Sequence, residues 1–485
     1  MLSLDEALER LISGAAGHII TEVESVSTFD ALGRVLAEDV VSGLDVPPAD
    51  NTSMDGYALR CADVPATGVE LPVSQRIPAG TVGTSLAPGS VARVFTGAQI
   101  PPGADAVVMQ EQCTALEDGR VRVEAVPGLG QWIRRRGEDI AAGGTVLHRG
   151  DRLTPQALGV AATVGRATLS VVRRPRVALF STGDELTMPG EPLKPGGIYN
   201  SNRYALRALL QAAGCDVSDL GIVPDRLEAT REALRAAAEG HDLILTSGGV
   251  SVGEEDHLRP AVQAEGRLDL WQVAIKPGKP LAFGTVRHAA AGEALFVGMP
   301  GNPVSSFVTF LVAVMPLLAA LQGRRATAPT AQALRADFDW PRPDRRREFL
   351  RARRNPQGGL DLFGNQSSGV MTSLVWADGL VDNPPGQAIR RGDLVTFVPL
   401  RVMIGARRCG CAISRRCARP WAQRRPWRLP TAARWPPCAM RCWRVAARTP
   451  RRWPVTARCA APSTSACAAR TRPCATGPRW PSSRR

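Results

Sequence analysis

Cysteine is scarce through most of this 485-residue sequence: before residue 401 only Cys61, Cys113 and Cys215 occur. Three widely spaced thiols exclude a disulfide framework. A secretion signal is missing too, because Asp5, Glu6 and Glu9 stand where such a signal would be basic. Instead Ser3 and Glu6 form a capping box, and Leu4, Leu8, Leu11 and Ile12 follow at helical spacing, which predicts an amphipathic helix. The longest apolar run, Phe307 to Leu321, has 15 residues and contains Pro316. A spanning helix needs ~20 residues, so a buried core helix is predicted. These absences point to a soluble, cytoplasmic protein with no membrane partner.

Acidic residues are missing altogether from Arg401 to Arg485, as are Lys and His. At the frequency of the preceding residues this stretch should hold about ten Asp or Glu. It carries 21 of the 60 basic residues, which leaves 39 bases against 45 acids in residues 1–400. The formal net charge of +15 therefore comes from the tail alone, and the body is mildly acidic. Eight of the 11 cysteines and six of the 10 tryptophans also lie in the tail. Arg clusters with Trp would suit a nucleic-acid arm, and Cys409-x-Cys411 with Cys438-x₃-Cys442 would suit zinc. Both readings are weak, since paired C-x₂-C, His and apolar periodicity are absent. Arg, Ala, Pro, Cys and Trp rising together is what an out-of-frame reading of GC-rich DNA produces. The tail, residues 405–485, is expected to be a disordered frameshift or read-through product outside the fold, and no nucleic-acid partner is expected.

What remains is ordinary globular protein, long enough for three or more domains of ~150 residues. Over the full 485 residues hydrophobic residues make up 44% and charged residues 22%, which excludes wholesale disorder. Residues 1–45 read as helix and then extended chain. From Val46 to about Glu138, short β-type runs (Val91–Phe95, Ala106–Met109, Val121–Val126) alternate with Pro/Gly turns, predicting a β-rich module. Residues 139–173 are mixed. From Pro175 to Gly323 strands and helices alternate: strands at Arg176–Ser181, Asp216–Val223, Leu243–Thr246 and Leu295–Val297, helices at Asn202–Ala213, Leu227–Glu239 and Pro303–Leu321. Asn302 is the expected cap of the last helix, with Pro303 at its first position. Such alternation predicts a parallel sheet covered on both faces. Residues 326–400 read as a small β-barrel.

Three strands of this α/β region end in small-residue loops: Ser181-Thr182-Gly183-Asp184-Glu185, Ser247-Gly248-Gly249-Val250-Ser251 and Met299-Pro300-Gly301-Asn302-Pro303. Ligands sit outside the carboxyl ends of strands in open α/β sheets, and glycine lets backbone approach a phosphate beside a helix N-terminus. One such loop is more often a tight turn; three on one edge favour a ligand site. Lys276-Pro277-Gly278-Lys279 brings two ammonium groups to one turn, suited to phosphate or an oxyanion. Asp184, Glu185, Asp225, Glu254, Glu255 and Asp256 accompany the loops. Carboxylates so placed either hold Mg²⁺ with substrate phosphates or serve helix dipoles. The polar turn Asp50–Tyr57 sits at a domain junction, where loops often carry function. Arg134-Arg135-Arg136-Gly137-Glu138-Asp139 alone would be a solvated charge run.

Together these segments resemble one family. Asp50–Ala58 (DNTSMDGYA), Val94–Glu111 (VFTGAQIPPGADAVVMQE), Ile133–Ile140 (IRRRGEDI), Leu179–Leu186 (LFSTGDEL) and Ile198–Arg203 (IYNSNR) are similar to the molybdopterin molybdenumtransferases, the MoeA family. So are Ser247–Asp256 (SGGVSVGEED), Ile275–Phe283 (IKPGKPLAF) and Gly298–Val304 (GMPGNPV). Relatives include the E domains of gephyrin and plant Cnx1. The resemblance covers residues 2–404 and is looser around Asn365-Gln366-Ser367-Ser368.

The resemblance implies an α/β multidomain fold. Residues 1–45 and 139–173 would form an elongated first domain, and 46–138 an inserted β-rich domain. Residues 174–325 would form a Rossmann-like, MogA-like α/β molybdopterin-binding domain, and 326–404 a C-terminal β-barrel. It implies insertion of molybdate into the dithiolene of adenylyl-molybdopterin with Mg²⁺, releasing AMP and molybdenum cofactor. It implies a homodimer whose cleft joins the α/β domain of one subunit to the first two domains of the other. Expected partners are a molybdopterin adenylyltransferase and molybdoenzyme maturation proteins. Asp55, Asp139, Thr96 and Arg134 are the expected catalytic residues. Ser181, Thr182, Gly183, Asp184, Ser247, Gly248, Gly249, Val250, Ser251, Asp256, Pro300, Gly301 and Asn302 are the expected molybdopterin and AMP contacts. Lys276, Lys279 and Ser368 would take molybdate or phosphate, and Glu185 and Asp225 the metal. Two competing readings are a molybdopterin adenylyltransferase, which lacks the DNTSMDGYA and RRRGED segments, and a non-enzymatic gephyrin-like scaffold.

Overall fold

The computed structural model describes residues 1–250, 257–289, 292–324 and 331–400. Ser251 and Asp256, with Glu254, Glu255 and the tail, lie outside the described residues. The chain separates into two units, Met1–Cys409 and Gly410–Arg485, and all described residues belong to the first.

The α/β region is built on a six-stranded sheet in the order 216–223, 176–182, 243–247, 293–299, 280–287, 266–272. The first four strands are parallel, and the last two run antiparallel to their neighbours. The sheet is therefore mixed, not wholly parallel. The reason is a hairpin: Pro280–Arg287 returns beside Glu293–Met299 through a short loop, without the crossover helix a parallel pair requires. The strand-like run Trp271–Ile275 ahead of the Lys276–Lys279 turn is divided between two sheets. Gly266–Gln272 closes this sheet, whereas Ile275–Lys276 pairs with Arg347–Arg354 of the C-terminal sheet.

Side chains alternate across the parallel strands. Val177, Leu179, Leu243, Leu245, Leu295 and Val297 enter one core cluster, with Leu206 and Leu210 of the helix Ser201–Ala212. Ala178, Phe180, Ile244 and Phe296 enter the other, with Leu234 of the helix Leu227–Ala238 and Leu258 of the helix Leu258–Glu265. Burial of both strand faces explains why these strands read as continuous apolar runs.

The helix Leu4–Gly14 starts with the expected capping box: Ser3 Oγ accepts from Glu6 N–H and the Glu6 carboxylate accepts from Ser3 N–H. Its Leu4, Ala7 and Leu11 pack into the α/β core and not among residues 23–41 and 140–172, where it was placed from the sequence. The apolar helix spans Pro303–Leu321, four residues longer than the apolar run at its amino end. It is long and apolar enough to cross a membrane (mean hydropathy 2.3), yet 72% of that stretch is buried inside the fold. A π turn at Phe310–Val314 ends two residues before Pro316, whose missing N–H cannot continue the α-helical ladder.

Val23–Ser27 pairs with Thr168–Val172, and Val40–Val41 with Thr145–Leu147, so chain on either side of the β-rich insert is knitted together. The insert carries a six-stranded sheet ordered 106–109, 56–59, 91–94, 69–77, 120–123, 113–115. Beyond residue 331 the sheet order is 275–276, 347–354, 379–383, 394–399, 332–335, with 360–362 on 347–354. A bridge from Ala336 to Leu360 joins its ends into a barrel around Phe338, Leu350, Val381 and Phe397.

Candidate active site

Parallel register aligns three strand ends. Ser181 lies opposite Ser247, and Ser247 opposite Met299, so the three loops that follow converge on one edge. They open onto a cleft of about 790 Å³. Gly248 N–H donates to Met299 O at 3.2 Å, and Asn202 Nδ2 donates to Gly301 O at 2.6 Å, which ties the loops to each other and to the helix at Ser201.

The glycines of the second loop are required by approach and by conformation. Gly248 and Gly249 have φ of +93° and +65°, and a Cβ on them would stand 2.7 Å from Thr182 O and 2.8 Å from Thr182 Oγ1. That Thr182 hydroxyl is buried, lines the cleft, and has no hydrogen-bond partner among the described residues. A buried donor left in this way calls for a ligand acceptor.

The remaining wall comes from elsewhere. The Lys276–Lys279 turn lines the cleft with Arg346, Gln366, Ser367 and Ser368 of the C-terminal region. Arg346 forks onto Asp344 at 2.9 Å through both Nε and Nη2, which holds the Asp344 carboxyl far below the usual carboxylate range. Lys276 Nζ lies 3.4 Å from the same Asp344 and 3.2 Å from Glu348. No carboxylate among the described residues pairs with the exposed Lys279. Ser368 O accepts from Val304 N–H at 2.9 Å, seating its loop on the start of the apolar helix.

Of the residues expected from sequence, Thr182, Gly183, Glu185, Asp225, Ser247, Gly248, Gly249 and Val250 line this cleft. So do Lys276, Lys279, Pro300, Gly301, Asn302 and Ser368. Ser181 does not: it is fully buried with its hydroxyl 3.2 Å from that of Ser247, bracing the loop from behind. Asp184 does not either; its carboxylate accepts from Asp225 N–H at 3.1 Å. Asn302 occupies the N-cap position but makes no side-chain cap bond. Arg346, Asn202, Gln366 and Ser305 were not singled out as site residues. Asn202 lies within the segment Ile198–Arg203; Arg346 sits in a basic run that reads as solvated surface.

Asp55, Thr96, Arg134 and Asp139 are not among the lining residues. They gather in the inserted β-rich segment and beside it. Gly56 pairs with Val94 in antiparallel register, which brings Asp55 to Thr96 across 41 residues. Thr96 N–H and Oγ1 both donate to Asp55 Oδ1 at 2.7 Å. The backbone N–H first and the hydroxyl second hold the Asp55 carboxyl below its ordinary range. Gly56 is needed here, since a Cβ would fall 2.0 Å from Val108 O. Arg134 pairs with Asn51 in a two-residue ladder. Arg135 binds Asp50 at 2.7 Å and Arg136 binds Asp45 at 2.5 Å, so the charge run stitches two motifs together. Arg134 and Asp139 remain exposed.

A resident metal can be weighed from the donor set. Among the described residues no cluster of three or more His, Cys, Asp or Glu could hold an ion. Two carboxylates, Glu185 and Asp225, line the cleft. That set suits Mg²⁺, which is commonly held by one or two carboxylates together with substrate phosphate and water.

Comparison with known proteins covers nearly all of the described chain. Residues 2–165 match the MoeA N-terminal region (domain I and II), residues 178–320 a probable molybdopterin binding domain, and residues 333–400 the MoeA C-terminal region (domain IV). The chain is 38% identical to a molybdopterin molybdenumtransferase of Haemophilus influenzae over 413 residues, 84% of this chain and 100% of that one. It is 39% identical to molybdopterin molybdenumtransferase 2 of Mycobacterium tuberculosis, over 74% of this chain and 90% of that one. A crystal structure of the molybdopterin biosynthesis moeA protein of Pyrococcus horikoshii superposes with a TM-score of 0.71 at 30% identity, covering 82% of this chain and 100% of that one.

Proposed function

The chain belongs to the molybdopterin molybdenumtransferase (MoeA) family, and on that premise we propose how its cleft inserts molybdate into the dithiolene of adenylyl-molybdopterin, releasing AMP and molybdenum-molybdopterin. The observation that carries this reading is the pairing of two groups of residues in one cleft. Gly248, Gly249 and the unpartnered Thr182 hydroxyl suit a phosphate, while Lys276, Lys279, Arg346 and Ser368 suit an oxyanion. A polyanionic substrate and molybdate repel each other in water, and clustered cations offset that repulsion. Glu185 and Asp225 would hold Mg²⁺, which would supply charge neutralisation at the phosphate when bound.

Asp55, with Thr96, Arg134 and Asp139, would come from a second copy of the chain in a homodimer. Asp55 is held ionised by Thr96, so it would meet the substrate as a proton acceptor and could pass a proton to molybdate oxygen leaving as water only after taking one up. This reading divides the chain into the four domains expected from sequence, with the first helix joining the α/β domain. It places the enzyme in the cytoplasm, supplied by a molybdopterin adenylyltransferase and serving molybdoenzyme maturation, without nucleic acid or membrane. A single-domain adenylyltransferase gives no role to residues 2–165 and 333–400.

The test is direct. Purified protein with adenylyl-molybdopterin, molybdate and Mg²⁺ should release AMP in step with molybdenum bound to the pterin. AMP release that does not depend on molybdate would sink the proposal, and sedimentation of a monomer at working concentration would sink the shared cleft.

A further inference from the structure

In the β-rich insert the strand Gly56–Leu59 begins one residue after Asp55, and the strand Val91–Val94 ends two residues before Thr96. Gly56 faces Val94 where the two strands part. One side chain closes the ladder at that point. Arg93, opposite Tyr57 in the register, donates through Nη1 to Gly56 O at 2.8 Å and to Val94 O at 3.3 Å, one carbonyl on each strand. Its Nη2 donates to Gln110 Oε1 at 2.5 Å, and Gln110 N–H donates in turn to Asp55 O at 3.0 Å. The guanidinium thus holds the residue after Asp55, the chain leading to Thr96, and the turn that binds the Asp55 carbonyl.

Aromatic rings fix the guanidinium in its turn. Its carbon lies 5.1 Å from the centre of the Tyr57 ring and 4.7 Å from that of Phe95, which Arg76 also covers at 4.5 Å. No carboxylate among the described residues forms an ion pair with Arg93. Its charge acts on Asp55 instead. The Thr96 N–H and hydroxyl lower the Asp55 carboxyl most, desolvation opposes them, and Arg93 lowers it further. Arg76 and Glu111 stand on neighbouring elements, Arg134 lies across from Asn51, and Asp50 is already paired with Arg135. Of these charged groups, Arg93 is the one that bears on the Asp55 carboxylate. A link between carbonyls needs only an N–H donor, so architecture alone does not account for a fixed cation here.

We propose that Arg93 is a positioning residue for molybdenum insertion: it fixes Asp55 against Thr96 where the two strands part, and supplies the cation beside that carboxylate. This rests on the reading of Asp55 as the proton acceptor. The experiment measures steady-state insertion and its pH profile on full-length wild type, Arg93→Met, Arg93→Lys, Asp55→Asn and the Asp55→Asn/Arg93→Met double variant, with Tm on each. Loosening a reacting group reduces rate more than affinity, so Arg93→Met should lower kcat about tenfold and leave both KM values within about twofold. Without the cation the Asp55 pKa rises, and the acid limb of kcat/KM should move to higher pH. Arg93→Lys keeps the charge but loses the planar fork, so its acid limb should stay near that of wild type while kcat falls about threefold. In the double variant the Arg93 change should add no loss to that of Asp55→Asn, because residues that act through one another are not additive. A folded Arg93→Met with wild-type kcat, or with an unmoved acid limb, overturns the proposal, as does a loss that multiplies with that of Asp55→Asn. If Arg93→Met does not fold, a folded Arg93→Lys with wild-type kcat overturns it equally. Asp55→Asn that inserts molybdenum at the wild-type rate would instead defeat the underlying reading of Asp55.

Discussion

Lys276, from the turn after the α/β sheet's outer strand, places its amine 3.2 Å from Glu348, a carboxylate in the C-terminal barrel with no solvent exposure. Glu348 also accepts from the Trp340 indole N–H at 2.8 Å and from Asn383 Nδ2 at 3.4 Å. A buried carboxylate needs such partners to remain in place. Glu348→Ala strips the Trp340 indole of its acceptor and Lys276 of a counter-ion, leaves Asn383 Nδ2 with Gln387 O alone, and should cost roughly 3–5 kcal/mol of stability. Glu348→Gln keeps an acceptor for Trp340 and should cost only about 1–3 kcal/mol. Because Lys276 stays tied to Asp344, insertion activity should survive in the Gln variant. Denaturant unfolding gives the ordering, and equal small losses in both variants would show that Glu348 is not the anchor.

The two lysines of the same turn should separate under mutation. Lys276→Ala and Lys279→Ala each remove a cation from a preorganised oxyanion site, an effect of a few kcal/mol or about 10²-fold in rate. Both should weaken molybdate use more than pterin binding. Lys276→Ala additionally leaves buried Glu348 without its cation and should lower the Tm, whereas exposed Lys279 should not. Equal rates at every molybdate concentration would reduce both to surface residues.

The charge break at Arg401 carries a third expectation. The match to the MoeA C-terminal region ends at residue 400, where the charge break begins. A chain ending at Gly405 should remain soluble and keep insertion activity within about twofold of the full 485 residues. An insoluble or inactive truncated protein would give the Arg-rich segment a role.

Local signals made the strand-end loops legible in the sequence. Gly248 and Gly249 advertise a backbone that must approach Thr182, and three strands of apolar residues imply one aligned edge. Contacts made across domains left no such signal. Arg346 sits in Arg345-Arg346-Arg347, where nothing in the text says that one of three arginines turns onto Asp344 and into the cleft. The divided run at residues 271–276 was opaque for the same reason: β propensity marks extended chain but not which sheet receives it. Nor did alternation reveal the antiparallel strands, since a strand buried on both faces reads alike in either direction.

The Thr96 hydroxyl should be visible in a pH profile. Thr96 lowers the Asp55 pKa through its N–H and its Oγ1, so the ionised carboxylate persists at lower pH than an ordinary aspartate. Thr96→Val removes the hydroxyl and leaves the N–H. The Asp55 pKa should rise toward its usual value, and the acid limb of kcat/KM should move to higher pH. Stability follows the same sign: the depressed pKa favours the folded state above the ordinary aspartate range, and that contribution is lost as pH falls through the folded value. An acid limb that does not move would mean that Asp55 is not the group titrating in the reaction.

Asp55→Asn separates chemistry from architecture. The Asp55 side chain accepts two hydrogen bonds from Thr96 through one oxygen, and an asparagine oxygen accepts the same two. Its backbone carbonyl still accepts from Gln110 N–H, and Gly56 still clears Val108. Turn and sheet edge should therefore survive, because Asn serves a turn before Gly as well as Asp does. What is lost is the charge and the ability to move a proton. The expected outcome is a folded, dimeric protein that binds adenylyl-molybdopterin normally and loses molybdenum insertion by about 10²-fold or more. Bound adenylyl-pterin and molybdenum cofactor release, measured on one preparation, decide the matter. Near wild-type release would leave Asp55 as a turn residue. Loss of binding and insertion together would point to a collapsed loop, because a group acting only on the proton has no reason to change how tightly the pterin is held.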